Sequence, residues 1–171
     1  MRAWLDSKQD TRCHVIALIR LVKRFNEDMA MRFFEVSRTI DATPAQVWRN
    51  LTDARRLASG GLSITKIEGS IGPGEKFKLW SEVAPERAFS LRITAFEPER
   101  RMVWEGGMPL GLFRGIRTFT LRASNGGASF TMREEYKGPI APLVLRSMPD
   151  LNPSFEKFAK GLQALSEGHT T

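Results

Sequence analysis

One arginine and one glutamate lie in strand-like segments on the same faces as large apolar side chains. Alternation in residues 130–136 gives one face composed of Phe130, Met132, Glu134 and Tyr136. Alternation in residues 117–121 gives a face composed of Arg117, Phe119 and Leu121. Burying an unpaired charge costs roughly several kcal/mol, so an ordinary core avoids this composition. The pattern therefore predicts a ligand cavity that accommodates the two charges.

The chemistry of these residues leaves several interpretations open. Arg117 and Glu134 can form a charge-assisted pair. Arg117 can instead anchor a carboxylate or enolate while Glu134 orients it or moves a proton, and Tyr136 can donate to a ligand carbonyl. The alternatives are that Tyr136 fills core and that a one-residue shift in register points both charges into solvent. In that case Glu105 and Glu135 become the candidates.

Strands that can position these residues are predicted along most of the chain. The sequence Asn125-Gly126-Gly127 is a hairpin signal that brings Arg117 close to residues 134–136. A further turn is predicted at residues 84–86, and runs joined by such short turns pair antiparallel. The predicted strands cover residues 32–40, 62–68, 75–83, 88–96, 101–106, 112–123 and 128–137.

Helices are predicted on both sides of this series of strands. Thr43 and Gln46, with Pro44 between them, form a capping box, and a second short helix follows from Thr52-Asp53 to about Leu57. Near the C-terminus, Asn152 is a natural N-cap before a helix that reaches Glu167. Residues 138–149 are apolar and rich in proline, which predicts a short or broken helix.

Composition limits the classes of function. The chain has 171 residues and a net charge of +7, but no basic run long enough for a nucleic-acid arm, so we expect no specific nucleic-acid binding. A single cysteine, Cys13, excludes an intrachain disulfide and fits a reducing, cytoplasmic environment. The only histidines are His14 and His169, so we expect no metal, no cofactor and no Ser-His-Asp triad.

The first 30 residues differ from the rest of the chain. Residues 12–25 have the apolar spacing of a basic amphipathic helix that contacts a membrane surface or a partner. The alternatives are that this segment packs on the domain or frays, or that translation begins at Met31. No apolar run approaches the ~18 residues of a membrane-spanning helix, and no signal peptide is expected. A single domain is predicted over residues 31–168, of unknown oligomeric state.

The order of elements, together with the stretch from Ala42 to Trp48 after the first strand, resembles the SRPBCC superfamily. That group includes START-like lipid-transfer domains and polyketide cyclase/dehydrase-like proteins. The stretches 111–117 and 147–151 are similar to those of an uncharacterised bacterial subgroup. The resemblance implies an α+β helix-grip fold: a curved seven-stranded antiparallel sheet around a long C-terminal helix, with an apolar cavity between them. Members bind lipids, quinones, plant hormones or polyketides there, some are enzymes, and one branch activates a chaperone ATPase.

A concave sheet on one long helix leaves a space that side chains do not fill. Each residue predicted to line it has core packing as its alternative. Binding of a small hydrophobic molecule, such as a lipid, quinone, polyketide or aromatic acid, is the function expected first. A cyclase, dehydratase or hydrolase that uses Arg117, Glu134 and Tyr136 is the second, and a protein-interaction domain is the third. The predicted wall residues are Trp80, Phe89, Leu91, Ile93, Trp104, Arg117, Phe119, Phe130, Met132, Glu134, Tyr136, Met148, Phe155 and Phe158.

The glycine-rich loop at residues 107–111 is apolar and lies between two predicted strands. A loop of this composition can move to open or close a pocket. The alternative is an ordinary hairpin connection.

Overall fold

A computed structural model describes residues 33–168. The predicted amphipathic helix at residues 12–25, Cys13 and both histidines lie outside these residues. The described chain forms one antiparallel sheet of seven strands in the order β1-β7-β6-β5-β4-β3-β2. The strands are β1 (Phe33–Ile40), β2 (Ile64–Glu68), β3 (Lys76–Ser81), β4 (Ala84–Glu97), β5 (Arg101–Gly107), β6 (Arg114–Ser124) and β7 (Gly127–Lys137). The helices are α1 (Pro44–Leu51), α2 (Ala54–Ser59), α3 (Ala141–Ser147) and α4 (Asn152–Glu167).

Local sequence signals start both short helices after β1. The Thr43 hydroxyl accepts from the Gln46 backbone N–H, while the Gln46 side chain accepts from the Thr43 backbone N–H, so the predicted capping box is confirmed. The Asp53 carboxylate accepts from the N–H groups of Arg55 and Arg56 at the start of α2. These bonds satisfy N–H groups that no helical carbonyl can reach.

The terminal helix α4 lies along the sheet and is held by charged groups from both sides. Its Glu156 carboxylate accepts from Arg38 of β1 at 2.7 Å. Its Lys157 ammonium lies 2.7 Å from Glu82, in the turn between β3 and β4. Phe155, Phe158 and other apolar residues of the same helix are buried against the sheet. The helix is therefore fixed over the sheet, as the resemblance implied.

The predicted turn at residues 84–86 is wrong. The chain turns at residues 82–83, Ser81 pairs with Ala84, and β4 starts immediately with Pro85 inside it. Proline is tolerated there because β4 pairs with β5 only from Leu91 onward, so the other edge of residues 84–90 forms no ladder with β5.

The predicted cap of the terminal helix is also wrong in detail. Asn152 is the first residue of α4, and Leu151 holds the N-cap position without a side-chain bond. The Asn152 amide donates instead to the Asp150 carboxylate at 2.8 Å, and its backbone N–H donates to the same oxygen. Asp150 thus satisfies the first backbone N–H of α4, which no helical carbonyl can reach. The short helix predicted within residues 138–149 is confirmed as α3.

The turn between β6 and β7 sets the register of the two strands that carry the charges. Ser124 pairs with Gly127 around Asn125 and Gly126, and Gly126 has the positive φ of 88° that this tight turn needs. Gly127 lies so close to the chain end of β1 that a β-carbon there would collide with the carbonyl oxygen of Ile40. Only glycine fits this position without a backbone shift.

We expect Gly127→Ala to lower the free energy of unfolding by about 1–3 kcal/mol, because the added methyl group overpacks against backbone. The matched change Gly72→Ala meets only the flexible Glu75 side chain at 3.5 Å and should be nearly neutral. Urea denaturation of both variants measures the difference. Equal stability of the two variants would show that the turn adjusts without strain.

Candidate ligand-binding site

A cavity of about 130 Å³ lies between the sheet and the first turns of α4. Strands β2 to β7 supply its wall on one side, and the end of α3, its connection to α4 and α4 itself supply the other. The lining residues are Leu62, Ser63, Ile64, Leu79, Ser81, Val83, Phe89, Leu91, Trp104, Gly115, Arg117, Met132, Glu134, Tyr136, Met148, Leu151, Ser154, Phe155 and Phe158.

Arg117 and Glu134 face each other on β6 and β7 and form an ion pair in the cavity wall. They are direct cross-strand partners, as the predicted register required. Arg117 Nε donates to Glu134 Oε2 at 2.7 Å, and Arg117 Nη2 lies 2.5 Å from the same oxygen. The side chains are 23% and 14% exposed, respectively. Both charges are thus largely removed from water but compensate each other.

The two acidic residues named for a shifted register face away from this pair. Glu105 forms an ion pair with Arg114, and Glu135 forms an ion pair with Arg133. Neither lines the cavity. The interpretation in which Arg117 and Glu134 point into solvent is therefore wrong.

Gly115 leaves space beside the Glu134 carboxylate. It lies opposite Tyr136 in the β6–β7 ladder. A β-carbon at Gly115 would stand 3.3 Å from Glu134 Oε1 and 3.5 Å from Tyr136 Cε1. The second carboxylate oxygen therefore lies beside Gly115 in the cavity wall, while the first oxygen is occupied by Arg117.

Tyr136 lies beside the same carboxylate and is 5% exposed. Burial raises the pKa of its hydroxyl well above the ordinary value of 10.0. The negative charge of Glu134 and a hydrogen bond to that carboxylate raise the pKa further, against a lowering by Arg117. The hydroxyl therefore stays protonated and acts as a hydrogen-bond donor beside Glu134.

Aromatic rings surround the charge pair. The Arg117 guanidinium carbon lies 5.1 Å from the centre of the Phe155 ring, which α4 supplies. On the other side of Arg117, Trp104 is its cross-strand partner on β5. Trp104 is 1% exposed, and its indole N–H has no hydrogen-bond partner among residues 33–168. The pair is thus bordered by flat apolar surfaces suited to an aromatic ligand.

Ser63 gives the cavity a polar group that the sequence did not reveal. It is 5% exposed, lies in the connection between α2 and β2, and has a positive φ of 60°. Its carbonyl accepts from the Glu82 backbone N–H at 3.0 Å, which ties it to the β3–β4 turn. Ser81 and Ser154 also line the cavity. A strained backbone at a cavity wall is a common feature of binding sites.

Most of the predicted wall residues line the cavity, and four do not. Trp80 points to the opposite face of β3, where Lys66 lies 4.8 Å from its ring, because the inward positions of that strand are Leu79 and Ser81. Ile93, Phe119 and Phe130 point inward but pack as core. The residues that line it as predicted are Phe89, Leu91, Trp104, Arg117, Met132, Glu134, Tyr136, Met148, Phe155 and Phe158.

Phe158 separates the cavity from this core. Its ring lies 5.7 Å from Phe119 and 6.3 Å from Phe130, centre to centre.

The missed wall residues fall into two groups. Leu79, Ser81 and Gly115 could have been found from strand alternation. Residues in the connections, such as Ser63 and Leu151, follow no period and carry no such signal.

Other features of the chain add nothing to the site. The loop around residues 107–111 includes a 3-10 turn at Pro109–Gly111 but contributes no wall residue, so its gating role stays a prediction. Within residues 33–168, no cluster of three or more His, Cys, Asp or Glu side chains is arranged to hold a metal ion. None of the helices in that part of the chain is long and apolar enough to cross a membrane.

The sheet, the two short helices after β1 and the long C-terminal helix together define the helix-grip fold of START-like SRPBCC proteins. The chain belongs to the family described as polyketide cyclase/dehydrase and lipid transport, which matches residues 31–167. No similar protein was found among curated sequences.

Solved structures share the fold at low sequence identity. Protein MLL2253 from Mesorhizobium loti is 19% identical, with a TM-score of 0.64 over 82% of this chain and 100% of that chain. Protein CV1439 from Chromobacterium violaceum is 22% identical, with a TM-score of 0.60 over 79% of this chain and 96% of that chain. Ara h 8.0201 is 18% identical, with a TM-score of 0.55 over 82% of this chain and 97% of that chain. Identities this low show a common fold and nothing finer.

We expect Arg117→Met to lower the free energy of unfolding by about 1–3 kcal/mol, because it leaves the Glu134 charge in the cavity without its partner. The double variant Arg117→Met/Glu134→Leu should recover most of that loss, since two apolar groups replace the pair. Arg114→Met, which breaks the more exposed pair with Glu105, should cost less than about 1 kcal/mol. Urea denaturation provides all three values, and a double variant no more stable than Arg117→Met would contradict the prediction.

The protonated state of Tyr136 makes stability depend on pH in the alkaline range. Its folded-state pKa is raised above the ordinary 10.0, so the stabilisation is complete below pH 10 and is lost as pH rises above it, where the unfolded state ionises. Tyr136 is the only tyrosine, so ultraviolet titration reports on it alone. We expect no tyrosinate signal near pH 10 while circular dichroism shows folded protein, with Tyr136→Phe as the blank. A signal at that pH in folded protein would contradict the raised pKa.

Proposed function

We propose that this protein binds a small, mainly apolar molecule in the cavity between the sheet and α4. The observation that supports this best is the composition of the wall, which is apolar and aromatic except for one compensated charge pair and a few hydroxyl groups. Pockets of this kind bind ligands by burying apolar surface and fix their orientation with a few polar groups. The family description, which names polyketide cyclases and lipid transport, supports the same class of ligand.

The energetics of the charge pair favour a role in binding over a role in stability. A largely buried ion pair contributes little net stabilisation compared with apolar residues of similar size. The register of a tight hairpin aligns Arg117 and Glu134, and both side chains line the cavity. A ligand oxygen in the cavity can therefore form hydrogen bonds with them.

Proton transfer to or from the bound molecule is the second candidate function. Glu134 Oε1 borders the cavity, and the protonated Tyr136 hydroxyl lies beside it. Glu134 would then act as the base while Tyr136 donates to the carbonyl whose charge increases. In that case Glu134→Gln abolishes turnover and leaves ligand affinity nearly unchanged. Equal loss of turnover and affinity, or loss of neither, would rule out this role.

Binding is tested by native mass spectrometry of protein purified from its own host, with organic extraction of the bound molecule. Ser154→Trp should block the cavity from the first turn of α4 without touching the buried core. Ser124→Trp places the same side chain at an exposed position of the β6–β7 hairpin and serves as the control. We expect a small organic molecule on the wild type and the control, and none on Ser154→Trp, while the three proteins melt at equal temperatures after extraction of the bound molecule.

Two outcomes would contradict the proposal. The first is a ligand that remains fully bound to Ser154→Trp, because it would then occupy another part of the molecule. The second is a wild-type protein that carries nothing and shows no change in melting temperature with lipids, quinones or aromatic acids. Recovery of a protein partner in that case would favour the interaction hypothesis, with the exposed Leu110 and Leu143 as contacts to test.

A further inference from the structure

The volume of the cavity limits the size of its ligand. About 130 Å³ is close to the ~150 Å³ of an apolar cavity that holds one benzene molecule. It is well below the ~300–1,000 Å³ of pockets that enclose drug-sized ligands. A molecule with one ring matches this volume, which is too small to enclose a fused-ring system or a long acyl chain.

The charge of the wall limits the charge of the ligand. Within residues 33–168, Arg117 and Glu134 are the only charged residues that line the cavity, and their charges sum to zero. The charged groups at the nearby turn, Glu82 and Lys157, are paired as well. A carboxylate placed beside Glu134 would add an uncompensated negative charge to a site shielded from water, which is unfavourable. The wall therefore favours a neutral molecule.

The geometry of the pair specifies the polar end of that molecule. Both contacts of Arg117 go to one oxygen of Glu134, Oε2, through Nε and Nη2. The other oxygen, Oε1, lies beside Gly115 in the cavity wall, and it can accept a hydrogen bond in addition to the one that Tyr136 donates to this carboxylate. Arg117 Nη1 makes neither of the two contacts with Glu134 and is therefore left as a guanidinium donor. The pair thus offers an acceptor and a donor side by side, both strengthened by charge.

We infer that the ligand is a neutral molecule of about one ring whose polar end carries a hydrogen-bond donor next to an acceptor, as in a hydroxy ketone, a catechol or a primary amide. This inference rests on the proposed function and narrows it. The ligand donor pairs with Glu134 Oε1, the ligand acceptor pairs with Arg117, and the ring lies against Phe155 and Trp104. Of the carboxylate and carbonyl groups expected from the sequence, this selects the carbonyl.

Probes of similar shape separate charge and hydrogen bonding. Benzamide is neutral and has an adjacent donor and acceptor, benzoate has the same shape and a negative charge, and acetophenone keeps the shape and the acceptor but lacks the donor. Dodecanoate represents a long acyl chain. We expect benzamide to bind the wild type at least about 10-fold more tightly than either single-ring analogue, which is the factor for one hydrogen bond to a charged group. Ligand-detected NMR titration measures these weak affinities.

A change of charge in the wall should reverse the selectivity. Glu134→Gln leaves the wall with a net positive charge, so benzoate should bind more tightly than benzamide. Glu105→Gln makes the same change in charge on the other face of the sheet, where Glu105 pairs with Arg114, and should leave the preference for benzamide intact. Circular dichroism of both variants confirms that a change in selectivity occurs in folded protein.

The outcomes separate this inference from the proposed function. Tighter binding of benzoate than benzamide by the wild type, or unchanged selectivity in Glu134→Gln, would overturn the inference. Binding of dodecanoate without benzamide would also overturn it, while leaving the proposed binding function in place. Failure of all probes, together with an empty protein from its own host, would overturn both.

Discussion

The register of the β6–β7 hairpin is the constraint on which the candidate site depends. Side chains alternate along a strand, so a slip of one residue would move Arg117 and Glu134 to the outer face and bring polar residues inward. The tight turn at Asn125 and Gly126 prevents this slip, since its backbone fits only one alignment of the two strands. The ion pair also disfavours the alternative, because a slip would separate two charges that compensate each other. Local turn geometry and cavity electrostatics thus specify the same structure.

The cavity exists because a single helix cannot fill the concave side of a wide sheet. Toward its middle, α4 packs its phenylalanines against the aromatic core formed by Phe119 and Phe130. Toward its start, the same helix is held away from β2 and β3 by the connections at Ser63 and Leu151. The aromatic core therefore forms a rigid base, and the empty space is confined to one end. This arrangement separates the residues that stabilise the fold from those free to bind a ligand.

The sequence predicts the fold well because each element carries its own local signal. Alternation and turn residues locate the strands, and the Thr43 capping box locates the first helix. For the site, alternation correctly selects Arg117 and Glu134 but cannot distinguish a cavity wall from a packed core, and Phe119 shows this failure. Trp80 was predicted to line the cavity because it is large, although the alternation of side chains along its strand places it on the opposite face. Ser63 lies in a connection whose side chains follow no regular spacing. Only the tertiary structure shows that its hydroxyl lies at the cavity.

Residues 84–90 of β4 form no ladder with β5, and this has a consequence for solubility. A strand edge that forms no ladder can recruit a strand from another molecule, which is how sheets begin to aggregate. Pro85 removes one backbone donor from this segment, and the neighbouring Glu86 and Arg87 side chains are exposed. Charge and proline at such an edge act as a barrier to intermolecular pairing. The same proline that misled the prediction of a turn thus disfavours pairing of this edge with another molecule.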